Sequence, residues 1–318
     1  MSVKSLAARA LQSHLLTCLL LAIPARGHLR MSKPPALGAL EHPAYSDPST
    51  NKKPYIEYVI QNPIANASEY PCRGHHVDVN SGLVQATETI RAGDDYNVTI
   101  YNNNGTDHTG GSCQISLSYD GGASFGVIHS FIGGCPTCPN DTNSDVLPFK
   151  IPNDIPSGKN VLLAWNWWGR LGIMEMYMNC AAINIESTSV SKTVPASPRV
   201  GVLDSNCRLE QVNDFVFPNP GPFVTYGGTW AGKKPNFDPA TAPNCTDAEL
   251  GKHTVKLISN DRKPIAQDKV SQETKELQTV PPAAGNATSE SQGHSNGRVP
   301  PRLCKRNVRL GTHVRIEV

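Results

Sequence analysis

Beyond Ile23 the chain has no apolar run long enough to form a transmembrane helix. It also has no excess of either charge. There are 29 Lys and Arg against 27 Asp and Glu, and three of the basic residues, Lys4, Arg9 and Arg26, sit in the first 27 positions, where there is no acid. The remainder carries a net charge of −1, which argues against nucleic acid or an anionic membrane as the main partner. Helical periodicity is almost missing after that opening stretch, so helix-built folds are disfavoured. There is no G-x-S-x-G nucleophile elbow and no credible pair of catalytic carboxylates, which makes a hydrolase unattractive.

The N-terminus carries the first positive signal. Lys4 and Arg9 precede an apolar run from Leu15 to Ile23, and small residues follow at Ala25 and Gly27. That order is the pattern of a secretory signal peptide over residues 1–27, so the protein is expected to be secreted and extracellular. Cleavage after Gly27 would make His28 the first residue. A free N-terminal histidine offers its α-amine and its ring Nδ1 to one metal ion, and a second imidazole from elsewhere would complete a planar three-nitrogen set. Such tetragonal nitrogen coordination favours Cu(II). If cleavage falls a residue or two away, His28 is an ordinary terminal residue.

Nine cysteines are present; Cys18 leaves with the leader, and the remaining eight suit an oxidising compartment. Glycosylation sequons at Asn66, Asn97, Asn104, Asn140, Asn244 and Asn286 agree with secretion. From His28 to about Tyr70 the proline-rich, polar sequence reads as a long ordered loop, followed by a stapled turn at Tyr70–Gly74. Strands are predicted around Tyr96–Ile100, Cys113–Tyr119, Ser124–Phe131, Val146–Ile151, Val161–Trp168 and Met174–Ile185, the second of them half-buried. Their short length and turn-rich spacing predict an all-β chain, an immunoglobulin/fibronectin-III-like β-sandwich with long loops. On the last strand, period-two geometry puts Glu175, Tyr177 and Asn179 on one face and Met174, Met176 and Met178 on the other. Trp165 and Trp167 share a face, as core filling more readily than as a sugar-stacking surface. Cys207 and Cys245 bracket an extension packed on the sandwich and are expected to pair. From about Lys256 the chain turns polar and low in complexity, and a disordered tail is expected. Residues 301–318 carry Cys304 and several arginines and give no reading.

Several blocks in this order resemble the lytic polysaccharide monooxygenases, most closely the fungal chitin-active auxiliary activity family 11. They are His28 after the leader, His108-Thr109-Gly110-Gly111-Ser112-Cys113-Gln114, Phe131-Ile132-Gly133-Gly134-Cys135-Pro136, Val161–Trp168, Glu175-Met176-Tyr177-Met178-Asn179-Cys180-Ala181 and Phe217-Pro218-Asn219-Pro220-Gly221-Pro222. The resemblance covers about residues 28–228. It implies a histidine brace in which the His28 amine, His28 Nδ1 and His108 Nε2 hold one copper ion, with Tyr177 axial and Glu175 just outside the ligands. Tyr177 and Glu175 are then the catalytic candidates, and His28, His108 and Tyr177 the metal candidates. It further implies an external electron donor, O2 or H2O2 as co-substrate, and oxidative cleavage of β-1,4 bonds in crystalline chitin by a monomer. The expected division is a leader at 1–27, a copper monooxygenase core at 28–228, a cysteine-tied extension at 229–255 and a tail at 256–318.

The residues themselves agree in part with that resemblance. Paired glycines beside His108 let the backbone turn tightly. Glu175 is an acid in an apolar strand and needs either a function or an ion pair, for which Arg170 and Arg73 are the candidates. Tyr177 could equally be plain core. His75 and His76 are expected at the surface or just outside the metal ligands, His129 in the core and His42 in a loop. Two departures from the family pattern stand out. Met174 occupies the position where the family usually carries arginine, and Cys138 and Cys304 either pair with each other or leave a free thiol. No chitin-binding appendage is apparent. Two other classes compete: a copper-binding protein of the same fold acting in metal acquisition, and a non-catalytic carbohydrate-binding module.

Overall fold

The computed structural model describes residues 29–46, 56–57, 62–102, 110–137, 144–170, 175–210 and 214–261. Its sandwich faces a three-stranded sheet against a six-stranded one. The smaller sheet has the order β1-β3-β6, with β1 at Leu29–Lys33, β3 at Asp95–Asn102 and β6 at Ser144–Lys150. The larger has the order β10-β5-β4-β7-β8-β2. It is formed by β2 (Thr89–Arg91), β4 (Gly111–Ser118), β5 (Gly126–Ile132), β7 (Gly158–Gly169), β8 (Met176–Glu186) and β10 (Val224–Tyr226). A ribbon of β9 (Ser191–Pro195) and β11 (Thr254–Ile258) is a separate two-stranded sheet that packs Val194 and Leu257 against β5 at Gly126, and its second strand crosses the boundary expected near Lys256. Helix is confined to α1 (Pro43–Ser46), α2 (His76–Asn80) and single 3-10 turns among the described residues. None is long and apolar enough to cross a membrane.

The alternation read from the sequence decides which side chains meet. Val98 and Ile100 of β3, with Leu147 and Phe149 of β6, point inward onto Ile115, Leu117, Trp165, Trp167, Tyr177 and Ile183 of the large sheet. The opposite face of that sheet is buried as well. Leu162, Ala164, Trp168, Met176, Met178 and Cys180 lie under Phe215 and Phe217 and the chain around Cys207. Trp168, Phe215 and Phe217 form an aromatic triangle with centroids 5.0 to 5.8 Å apart.

This second layer corrects the half-buried reading of β4, every residue of which is buried. One of its polar positions, Gln114, finds its partner in β5, which is in turn tied to the extension. Gln114 Nε2 donates to Ser130 Oγ at 2.9 Å, and Ser130 Oγ donates to the Pro220 carbonyl at 2.8 Å. A buried polar side chain is tolerated when it is hydrogen-bonded. The alternation was therefore legible, but its outer face turned out to be covered.

The opening loop also needs correction. Leu29–Lys33 is a strand, paired antiparallel with β3 from Leu29 opposite Asn102. It is too short, and too close to a run of prolines, to show periodicity. Among the described residues three disulfides fix the layers: Cys72–Cys180 staples the predicted turn to β8, Cys113–Cys135 joins β4 to the loop after β5, and Cys207–Cys245 closes the extension as expected. Cys138, Cys304 and the expected tail from residue 262 onward lie outside the described residues.

Candidate metal site at one end of the sandwich

The start of β4, the end of β7 and the start of β8 share one edge of the large sheet. Gly111 sits opposite Gly169, and Trp168 opposite Met176. Tyr177 pairs with Trp167 in register, and their rings lie 4.6 Å apart at 37°. Trp167 in turn stacks on Trp165 at 6.1 Å and 11°, so both tryptophans fill the inter-sheet core as expected. The Trp167 indole N–H donates to the Gly110 carbonyl at 3.1 Å.

Two of the expected site residues meet here. Tyr177 Oη donates to Glu175 Oε2 at 2.7 Å across the strand's two-residue repeat. Tyr177 is 8% exposed; burial, the negative charge of Glu175 and that hydrogen bond all push its pKa far up, so it remains a neutral phenol. Glu175 is half-buried just ahead of β8. The ion pair considered for it with Arg73 is taken elsewhere, since Arg73 bridges Glu57 at 2.6 Å and Glu69 at 3.1 Å. Arg170 packs along Gly110 instead: a Cβ built on that glycine would meet its Cδ at 3.2 Å.

His28 and His108 lie outside the described residues, as does Met174. Leu29, directly after His28, and Gly110, two residues after His108, are described. Leu29 is the first residue of β1, and two residues on, the Met31 amide donates to Asn179 Oδ1 of β8 at 2.8 Å. Gly110 and Gly111 have φ of +86° and +103°, and a Cβ on Gly111 would come within 2.1 Å of the Trp168 carbonyl. Only glycine fits that close approach.

All four backbone polar groups of this pair are engaged. Gly110 N–H donates to Pro136 O at 2.8 Å, Gly110 O accepts from Trp167, Gly111 N–H donates to Asp214 Oδ1 at 3.2 Å, and Gly111 O accepts from Cys135 N–H at 3.2 Å. Asp214 was not singled out in the sequence. Its only signal is an acid placed directly before the apolar Phe215-Val216-Phe217.

Among the described residues no three His, Cys, Asp or Glu side chains cluster as a metal site. The donor chemistry is still compatible with copper. A neutral phenol is held in place by a carboxylate, beside the rigid turn that follows His108 in sequence. Three other histidines are held in the fold by hydrogen bonds of their own. His129 is buried, with Nε2 3.0 Å from Thr225 Oγ1, and His42 is a buried residue whose Nδ1 accepts from Ala44 N–H at 3.2 Å. Burial lowers both pKa values to about 4. His75 is not at the surface: it is 6% exposed, with Nδ1 3.0 Å from Asp78 Oδ2 and Nε2 3.2 Å from Glu57 Oε2.

An all-β sandwich with a phenol and carboxylate paired at one strand end defines a class of candidate surface metal sites, and comparison with known proteins narrows it. No protein-family model matches the chain. The AA11 family lytic polysaccharide monooxygenase A of Aspergillus fumigatus is 38% identical over 168 residues, covering 52% of this chain and 68% of that protein. An AA11 family lytic polysaccharide monooxygenase of Aspergillus oryzae is 30% identical over 259 residues, covering 74% of this chain and 55% of the relative. The AA11 family lytic polysaccharide monooxygenase B of Aspergillus fumigatus is 31% identical over 244 residues, covering 69% and 53%. The chain spans about half the length of these last two. It belongs to the AA11 family of lytic polysaccharide monooxygenases, and so to the oxidoreductases.

Proposed function

We propose that this chain is a secreted, copper-dependent monooxygenase that cleaves β-1,4 bonds of chitin oxidatively, using an external electron donor and O2 or H2O2. The observation that carries the reading is the Tyr177–Glu175 hydrogen bond, reached from Gly110 through Trp167. Membership of the AA11 family supports it.

His28, through its amine and Nδ1, and His108, through Nε2, would hold one copper ion, with Tyr177 as the further candidate ligand. Bound there, copper would supply one-electron chemistry that lets the co-substrate oxidise a C–H bond beside the glycosidic oxygen. The protein's own residues set the conditions. Glu175 accepts the phenol's hydrogen bond and so fixes the direction of the Tyr177 oxygen, while Trp167 covers the phenol ring and excludes water from that side. Residues 28–228 are assigned to the catalytic core, with 229–255 as its cysteine-tied extension. An open site on a sandwich end suits a polymer presented on a crystal face, which cannot enter a deep pocket.

The test joins three measurements on the secreted protein: the mass of its N-terminal peptide, copper stoichiometry with electron paramagnetic spectra, and products released from chitin with a reductant. The expected result is His28 as first residue, one nitrogen-rich type 2 copper per chain, and oxidised chito-oligosaccharides. Retained Gly27 or sub-stoichiometric copper overturns the site. Tight copper without oxidised products from chitin overturns the activity and favours a metal-acquisition role.

A further inference from the structure

We propose that Asp214 is a positioning residue for the metal site, a clamp through which the chain beyond the sandwich fixes the turn that follows His108; this rests on the copper reading above. Asp214 is 3% exposed and contributes to no strand. Its two oxygens serve two different segments: Oδ1 accepts from Gly111 N–H at 3.2 Å, and Oδ2 accepts from Thr229 N–H at 3.2 Å. The carboxylate lies against a glycine-lined wall, because a Cβ on Gly133 or Gly228 would meet Oδ2 at 3.1 or 3.3 Å. Backbone joins the same wall, with Gly227 N–H donating to Ile132 O at 3.0 Å.

The chemistry favours a clamp over a passive fit. A carboxylate taken out of water is costly unless its lone pairs are satisfied, and backbone amides are the donors available here. The bond to Gly111 is also the one contact of that amide that comes from outside the sandwich. The other restraints on residues 110 and 111 come from Pro136, Trp167 and Cys135, all of them in or beside the large sheet. Removing the carboxylate leaves a buried N–H without an acceptor at Gly111, the first residue of β4 and three residues after His108 in sequence. A ligand supported from behind in this way loses geometric definition when the support goes, even though no ligand atom is touched.

The experiment compares Asp214→Ala and Asp214→Asn with Tyr119→Phe. Tyr119→Phe removes a buried 2.7 Å hydrogen bond to Pro156 O just beyond the far end of β4 and controls for simple loss of stability. In metal-free protein, amide hydrogen exchange at Gly111 should accelerate about tenfold or more in Asp214→Ala and remain unchanged in Tyr119→Phe. In copper-loaded protein, the dissociation constant should weaken about tenfold, with altered copper hyperfine splitting, again only in the Asp214 variants. Asp214→Asn keeps one acceptor oxygen; it should fold and fall between wild type and alanine in both readouts.

A folded Asp214 variant with wild-type exchange at Gly111 and a wild-type copper spectrum overturns the clamp. If Tyr119→Phe changes the spectrum equally, the effect is general destabilisation and the clamp is likewise overturned. If wild type itself binds no nitrogen-ligated copper, the functional reading fails. In that event the metal-free exchange result still decides whether Asp214 holds the turn.

Discussion

Tyr177 and Glu175 show how little of a residue's role its identity reveals. In the sequence, Tyr177 could be core or ligand, and both descriptions have substance, since the ring is buried against Trp167 while the hydroxyl is committed to Glu175. Tyr177→Phe keeps the ring and deletes the hydroxyl. Stability should fall by about 1 kcal/mol, while oxidative turnover drops by about 10- to 100-fold. Product release assayed beside a melting curve separates the two effects, and a proportionate loss of both would reduce Tyr177 to packing.

His75 was misread for a different reason. Its neighbour in the chain is histidine, but the partners that bury it, Glu57 and Asp78, come from another segment and from the helix it precedes. Burial alone would lower its pKa; the hydrogen bonds and charges of Glu57 and Asp78 outweigh that and raise it. A raised folded-state value means that its contribution is fully present below the unfolded pKa near 6.5 and is lost as pH rises through the folded value. His42 and His129, whose values are lowered, act in the opposite sense, so wild-type stability alone will not isolate it. The difference in melting temperature between wild type and His75→Asn should therefore be largest below pH 6.5 and shrink above it. A difference independent of pH would mean that folding leaves the His75 pKa unchanged, and one that grows with pH would mean that His75 is neutral in the folded protein.

At the scale of elements, period-two alternation carried most of the fold. It located β3 to β8 to within a few residues and put Tyr177 and Met178 on opposite faces, as found. It could not show that both faces of the large sheet are covered, because the cover comes from scattered apolar residues such as Leu37, Tyr45, Ile64, Val200, Phe215 and Phe217, which lie outside the strands. It also missed β1, whose five residues lie between the leader and a proline run. The glycine pair entering β4 was legible as a tight turn but not in its severity. Gly111→Ala would place a methyl group 2.1 Å from the Trp168 carbonyl at a φ of +103°. Strain of about 1–3 kcal/mol is expected for the backbone alone, with more from the clash. The variant should melt markedly lower and lose copper affinity together, whereas the same change at Gly82, which has open space around it, should cost only its left-handed φ of +77°. Equal losses at the two positions would refute the argument from close approach.

For the whole molecule, the proposed metal site would draw on three parts of the chain, and the described residues of each part are held by different means. Tyr177 is fixed by pairing of β8 with β7. Gly110 and Gly111 are fixed by Trp167, Pro136 and the Cys113–Cys135 bridge, and Leu29, next to His28, by its place in β1. The sequence made each part visible singly, but not the contacts between the two sheets that hold the described residues, such as Met31 to Asn179. The chain end adds a condition that no packing can replace, because an acylated amine is a poor ligand. A protein made with one extra glycine before His28 should keep the wild-type melting curve without metal, since β1 begins only at Leu29. It should nevertheless lose the rise in melting temperature that stoichiometric copper gives the processed form; at 100-fold excess over the dissociation constant that rise corresponds to about 2.7 kcal/mol. Copper titration followed by thermal melting of both forms checks this, and equal stabilisation of the extended chain would place the metal away from the N-terminal amine.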